Sequence, residues 1–210
     1  MRAGNAKVGG RLRIIGGRFR GRKIPVSDHQ GLRPTGDRVR ETLFNWLQPV
    51  IVGSRCLDLF AGSGALGFEA ASRGAGEVIM VERSERVAEL LWANTRTLGA
   101  SQVRVYMADA LRWLTGSART FDIIFLDPPF DQDLLGPSCA LLGAGGWLAP
   151  AAHIYLETPA DRALPALPTR WRLLHDKKAG QVRYALACFH DEDTFLEGAG
   201  KDKASSRDAS

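Results

Sequence analysis

Cysteine is scarce: three residues in 210, Cys56, Cys139 and Cys188, with no Cys-x-x-Cys pair among them. That excludes a disulfide framework and a thiolate metal site. Each cysteine lies in an apolar stretch, so they read as buried free thiols of a protein in the reducing cytoplasm. Histidine is equally sparse. His29, His153, His175 and His190 show no ligand spacing, so they read as surface or core filling and no metal is expected. No apolar run approaches the ~20 residues of a membrane span. The basic N-terminus has no apolar segment behind it that would make a secretory signal. No internal repeat is visible.

What is present suits one domain with at most a small appendage, and 45% hydrophobic residues are enough for a core. The tryptophans at 46, 92, 113, 147 and 171 fall mostly on apolar faces and read as packing. The net charge of +5 is unevenly held: residues 1–40 contain 11 of the 28 Lys/Arg, against only Asp28 and Asp37 of the 23 acids. A basic arm on a slightly acidic body points to phosphate contact. A charge run alone reads as a solvated tail. Here Ile14-Ile15-Gly16-Gly17 and Gly21-Arg22-Lys23-Ile24-Pro25-Val26 give the run the pattern of a β-hairpin or short strands. The expected organisation is a disordered stretch over 1–10, a basic hairpin arm over 11–36, a main domain over 37–190 and a polar, unfolded tail over 191–210. Arg18, Arg20, Arg22 and Lys23 in the arm are candidates for gripping a nucleic-acid backbone. Arg38 and Arg40 join them near the start of the next helix, where a phosphate would offset the small dipole penalty on a cation.

Asp37 is placed to cap a helix over about 38–48, ended by Pro49. From Arg55 the chain alternates: strand 55–60, helix 65–73, strand 78–81, helix 84–98, strand 103–107, short helix 110–114 capped by Asp109, strand 121–126 and helix 134–142. A turn-rich link over 143–150 leads to a strand at 153–157. Segments 171–174 and 182–189 read as a closing antiparallel pair that turns at 177–180. This pattern predicts an α/β, Rossmann-like fold: a mostly parallel central sheet with helices on both faces and an antiparallel C-terminal hairpin at its edge. In such sheets ligands bind past the carboxyl ends of the strands, where strand order reverses. Gly62, Glu82, Asp109 and Asp127 all fall just past strand ends.

Two stretches carry chemistry. Leu57-Asp58-Leu59-Phe60-Ala61-Gly62-Ser63-Gly64-Ala65-Leu66-Gly67 runs from strand through a glycine turn into a helix, and bares backbone N–H groups to a ligand. Alone, G-x-G-x-x-G also serves plain packing turns. Glu82, ending the next strand, adds a carboxylate that a nicotinamide enzyme would use too. Asp127-Pro128-Pro129-Phe130 is a feature such an enzyme does not need. Its two prolines stiffen the turn. They hold an acidic side chain and a carbonyl toward the crevice, with an aromatic ring beside them. A carboxylate and a carbonyl that accept the two N–H bonds of an exocyclic nucleobase amine pull its nitrogen toward tetrahedral geometry. A ring at Phe130 stacks on the base and holds it in line with a methyl donor. The plainer alternative is a rigid turn with a capping Asp and a core Phe.

With these motifs the chain resembles the class I methyltransferases that use S-adenosylmethionine, over about residues 11 to 190. Ile14-Ile15-Gly16-Gly17, Gly21-Arg22-Lys23-Ile24, Arg33-Pro34-Thr35, the run Asp37 to Phe44, Leu57 to Gly67 and Asp127-Pro-Pro-Phe together resemble the bacterial 16S ribosomal RNA guanine-N2 methyltransferases, usually called RsmD. Gly36 departs from that pattern, where Thr is expected after Arg-Pro-Thr. The resemblance implies that Phe60, Ala61, Gly62, Ser63 and Gly64 contact the methionine part of the donor, with Asp58 below. It also implies that Glu82, beside Arg83, bonds the ribose hydroxyls, and that Asp109 and the Ala110 N–H read the adenine edge. Asp109 as a helix cap alone remains the alternative. Asp127, Pro128, Pro129 and Phe130 then hold the target guanine, and Arg33 and Thr35 close over the site. The implied partner is 16S ribosomal RNA within a small-subunit particle, bound by a monomer with no membrane association. The target base must leave its stack or already be unpaired. The competing readings are a DNA adenine-N6 methyltransferase, which the lack of a separate DNA-reading domain disfavours, and an RNA-binding protein with a dead donor site, which intact Gly62, Gly64, Glu82 and Asp127 disfavour.

Overall fold

The computed structural model describes residues 8–27 and 36–190. Two strands, β1 (Val8–Arg13) and β2 (Lys23–Ser27), pair antiparallel as a separate two-stranded sheet. The rest of the described chain is α1 (Asp37–Trp46), β3 (Arg55–Asp58), α2 (Ala65–Ser72), β4 (Glu77–Glu82), α3 (Glu85–Leu98), β5 (Val103–Met107), α4 (Ala110–Trp113), β6 (Phe121–Leu126), α5 (Leu135–Ala144), β7 (Leu148–Pro159), β8 (Trp171–Ala179) and β9 (Val182–Phe189). The central sheet has the order β5-β4-β3-β6-β7-β9-β8. Strands β3 to β7 are parallel, and β9 and β8 complete the edge antiparallel. The strand order reverses between β3 and β6, which opens a crevice at their carboxyl ends.

The parallel strands are apolar on both sides because both sides are covered. One core packs α1, α2, α3 and the arm against one face, through Leu43, Phe44, Phe68, Leu91 and Phe125. The other packs α4 and α5 against the opposite face, through Leu57, Ile124, Leu142 and Trp147. The arm belongs to the first core. Leu12, Ile14, Phe19 and Ile24 are each at most 4% exposed, and side chains of that size contribute roughly 1.5–3 kcal/mol apiece when fully buried. Glu69 on α2, with 0% exposure, clamps the arm: it accepts from the backbone N–H groups of Ile15 and Gly16 and from Arg73 Nε.

Several expectations are corrected. The first strand begins at Val8, inside the stretch expected to be disordered, because its pairing with β2 continues past a bulge to Ser27. Asp37 does not cap α1: Gly36 holds the N-cap position, and the Asp37 carboxylate is drawn to Arg13 and Arg40 instead. Strand β7 starts at Leu148, within the expected link. An irregularity at Ala151, with φ 59, lets the strand resume its pairing at His153. β8 continues through Lys177 and Lys178, so the closing turn moves to Gly180-Gln181. Of the four histidines, His175 stacks on Trp46 with ring centroids 4.5 Å apart, and His29 lies outside the described residues.

Candidate functional site

The carboxyl ends of β3, β4, β6 and β7 surround a cleft of about 1250 Å³. Its floor is the turn from β3 into α2. Gly62 and Gly64 have φ of 49° and 77°, a region that costs residues with a Cβ. A Cβ at Gly64 would also lie 2.5 Å from the Phe68 ring. At Gly67 it would meet Met80 at 2.3 Å, so α2 lies tight on the sheet. Asp58 sits under this turn at 2% exposure and accepts from the Gly67 N–H at 2.9 Å. Burial, with Asp127 and Glu82 adding negative charge, pushes its carboxyl up to about 7.

Glu82 ends β4 and reaches across to the glycine turn. One carboxylate oxygen accepts from Gly62 N–H at 2.9 Å and the other from Ser84 N–H at 2.6 Å. A carboxylate has about four acceptor sites, so these two bonds fix its plane and leave acceptor capacity for a diol in the cleft. Arg83 is exposed beside it on the rim. Asp109 caps α4, accepting from the Arg112 N–H at 3.0 Å, and also lines the cleft with Ala110. The helix cap and a place at the site therefore coexist.

Asp127, Pro128, Pro129 and Phe130 leave β6, the strand next to β3, and line the same cleft. Pro128 is buried, Pro129 exposed and Phe130 half-buried. The turn is held from outside: Gln132 N–H donates to the Pro129 carbonyl, and Arg162 donates to the Phe130 carbonyl at 3.0 Å. Phe60, Ala61 and Ser63 line the same cleft. Of the donor-site and target-site candidates named from the sequence, all but Gly64 line this one cavity; Gly64 is the N-cap of α2 and packs against Phe68 and Leu91 instead.

The backbone-gripping candidates are scattered. Arg40 is corrected outright: at 1% exposure it pairs with Asp37 and Glu69 and bonds the Arg13 carbonyl, so it reaches no external phosphate. Arg22 donates to the Thr97 and Leu98 carbonyls at the far end of α3. The 14 residues of α3 put that end roughly 20 Å from Ser84 at the cleft. Arg18 N–H, on the arm's tip, bonds the Ser72 carbonyl at the far end of α2. Arg18, Arg20 and Lys23 are exposed at this distal end, and Arg38 is exposed two residues from Gly36 at the cleft. Arg33 and Thr35 lie outside the described residues.

Glu157 and the β8–β9 turn are parts of the site that the sequence reading missed. Glu157, at 4% exposure, ends the parallel part of β7 and lines the cleft, and Tyr155 donates its hydroxyl to it at 2.6 Å. The signal existed: Glu157 closes an apolar strand just as Glu82 does. The β8–β9 turn, with Gly180 and Gln181, forms part of the wall, and nothing local in its sequence marks it. Among the described residues no group of His, Cys, Asp and Glu is arranged to hold a metal, and no helix is long and apolar enough to cross a membrane.

The family described as conserved hypothetical protein 95 matches residues 12–188. The ribosomal RNA small subunit methyltransferase D of Escherichia coli K12 is 50% identical over 186 residues, covering 89% of this chain and 94% of that protein. The protein of the same name from Haemophilus influenzae is 50% identical, covering 87% of this chain and 95% of its own length. A solved structure described as a putative methyltransferase, yhhF, from Escherichia coli superposes with a TM-score of 0.81 at 48% identity, covering 86% of this chain and 99% of that one.

Proposed function

The chain belongs to the family of the small-subunit ribosomal RNA methyltransferases D, and from that premise we propose that it transfers a methyl group from S-adenosylmethionine to the exocyclic N2 amine of one guanine in 16S ribosomal RNA. The observation that supports this reading is the shared cleft, lined by Glu82 and Gly62 together with Asp127-Pro128-Pro129-Phe130. We read the substrate as RNA within a small-subunit particle and the protein as a cytoplasmic monomer.

The residues present fit the donor. The cleft is large enough for a nucleoside with an amino-acid tail, Glu82 retains acceptor capacity for two ribose hydroxyls, and Asp58 lies below, bonded to the Gly67 N–H. When bound, S-adenosylmethionine supplies a methyl group on an electron-poor sulfonium. The chain's own part is positioning. Gly62 brings backbone close without a side chain in the way, with the small Ser63 beside it. Asp109 and Ala110 stand where an adenine edge is read, with Phe60 and Arg83 flanking. On the acceptor side, the Asp127 carboxylate takes an N–H of the amine, the Pro128 carbonyl takes the other, and Phe130 stacks on the base. Rigid placement of two reactants accounts for a large share of such rate gains.

Incubating the protein with labelled S-adenosylmethionine and 16S RNA, free or in small subunits, tests this. Label on N2 of a single guanine is expected; label on adenine N6, or none, overturns the reading. Asp127→Ala should keep the thermal stabilisation given by S-adenosylmethionine yet lose methyl transfer by about a hundredfold or more. An active variant removes Asp127 from the mechanism.

A further inference from the structure

Glu157 is a buried acid that the donor side does not use. Leu126 of β6 and Leu156 of β7 are register partners, so Asp127 and Glu157 are the next residues on adjacent parallel strands. Side chains alternate along a strand, and the partners two residues earlier, Phe125 and Tyr155, touch edge to face on the same side of the sheet, with ring centroids 6.4 Å apart. Asp127 and Glu157 therefore leave the sheet on that same face, both lining the cleft. Glu157 is also braced. The Tyr155 hydroxyl, itself buried at 0% exposure, donates to its Oε2 at 2.6 Å. A buried carboxylate costs free energy unless donors meet it. Here a tyrosine is spent on orienting one that faces the cavity where a base would lie.

We propose that Glu157 is the residue that selects guanine, by accepting the N1–H of the base whose N2 amine Asp127 holds. This rests on the methyl-transfer reading of the same cleft. The chemistry separates the purines. Guanine presents N1–H and N2–H donors side by side, which two neighbouring carboxylates match. Adenine presents an acceptor at N1, which a carboxylate repels. A site built to receive a donor rejects an analogue lacking it far more strongly than a site that merely fits shape. Tyr155 is then a positioning residue, acting on the base through Glu157.

The test uses 2-aminopurine, which keeps the C2 amine and replaces the N1–H of guanine with an acceptor. Small subunits are rebuilt from 16S RNA ligated to carry guanine or 2-aminopurine at the mapped target, and kcat/KM is compared. The wild type should favour guanine by more than about tenfold. Glu157→Gln, whose amide offers N1 a donor, should shift that preference toward 2-aminopurine by about tenfold or more. Tyr155→Phe, which keeps the ring contact and removes the hydroxyl, should shift it in the same direction by less. A merely structural role lowers both rates together and leaves their ratio alone. Ratios in both variants equal to the wild type's overturn the proposal while the methyl-transfer reading stands; a wild type inert on guanine overturns both.

Discussion

Asp58 shows how one side chain couples the site to folding. In the unfolded chain its carboxyl titrates at about 3.9, and in the fold burial raises it to about 7. Between those values the native state holds a proton that the unfolded state has released. The contribution of Asp58 to stability is therefore greatest below about pH 4, falls as pH rises, and levels off above about 7. Asp58→Asn lacks this titration and keeps an acceptor for the Gly67 N–H. Its stability relative to the wild type should improve from pH 4.5 to pH 8, by at most on the order of 4 kcal/mol. Urea denaturation at both pH values checks this, and a constant difference contradicts it. From the sequence, Asp58 was singled out through the family resemblance, as the acid below the glycine turn. Its protonation was not legible there, because that comes first from burial under the folded turn, with Asp127 and Glu82 adding charge from other strands. Arg40 failed for the same reason: in sequence it is one of several arginines, and only the fold sets it against Glu69.

At the scale of elements, the arm is tied down by α2. Glu69 receives the Ile15 and Gly16 N–H groups, and the Ser72 hydroxyl accepts from Phe19 N–H and donates to the Gly16 carbonyl. Glu69→Ala leaves the Arg40 guanidinium buried without this carboxylate and opens two backbone donors. A cost of about 3 kcal/mol or more is expected, read by denaturant unfolding, together with faster proteolysis around residues 14–22. Normal stability and protection would show that the clamp is dispensable. The βα alternation was readable from apolar runs stopped by glycine: α2 and α3 fall within a residue of expectation at each end. The edge was less readable. Pro150 looked like the end of a link, yet β7 runs through it. Lys177 and Lys178 looked like a turn, yet long polar side chains on an exposed edge strand are compatible with pairing to β9.

Across the whole molecule, the sequence located the positive charge on the first 40 residues but not where they go. The arm does not hang free over the cleft. It packs along α3 with its tip at the amino ends of the strands, because Ile14, Phe19 and Ile24 complete the core there. Deleting it would strip that core, so side-chain substitutions are the cleaner probe. Replacing Arg18, Arg20 and Lys23 together with Ala should flatten the salt dependence of RNA binding, by about two in the log–log slope if each meets one phosphate. S-adenosylmethionine binding should be unaltered. An unchanged slope would free these residues from any role in gripping RNA. The separation of roughly 20 Å between the far end of α3, where Arg22 is bound, and the cleft makes the molecule a pair of callipers. Only a substrate broad enough to touch both jaws gains from them, so a short oligonucleotide bearing the right base should engage one jaw and forfeit the grip of the other.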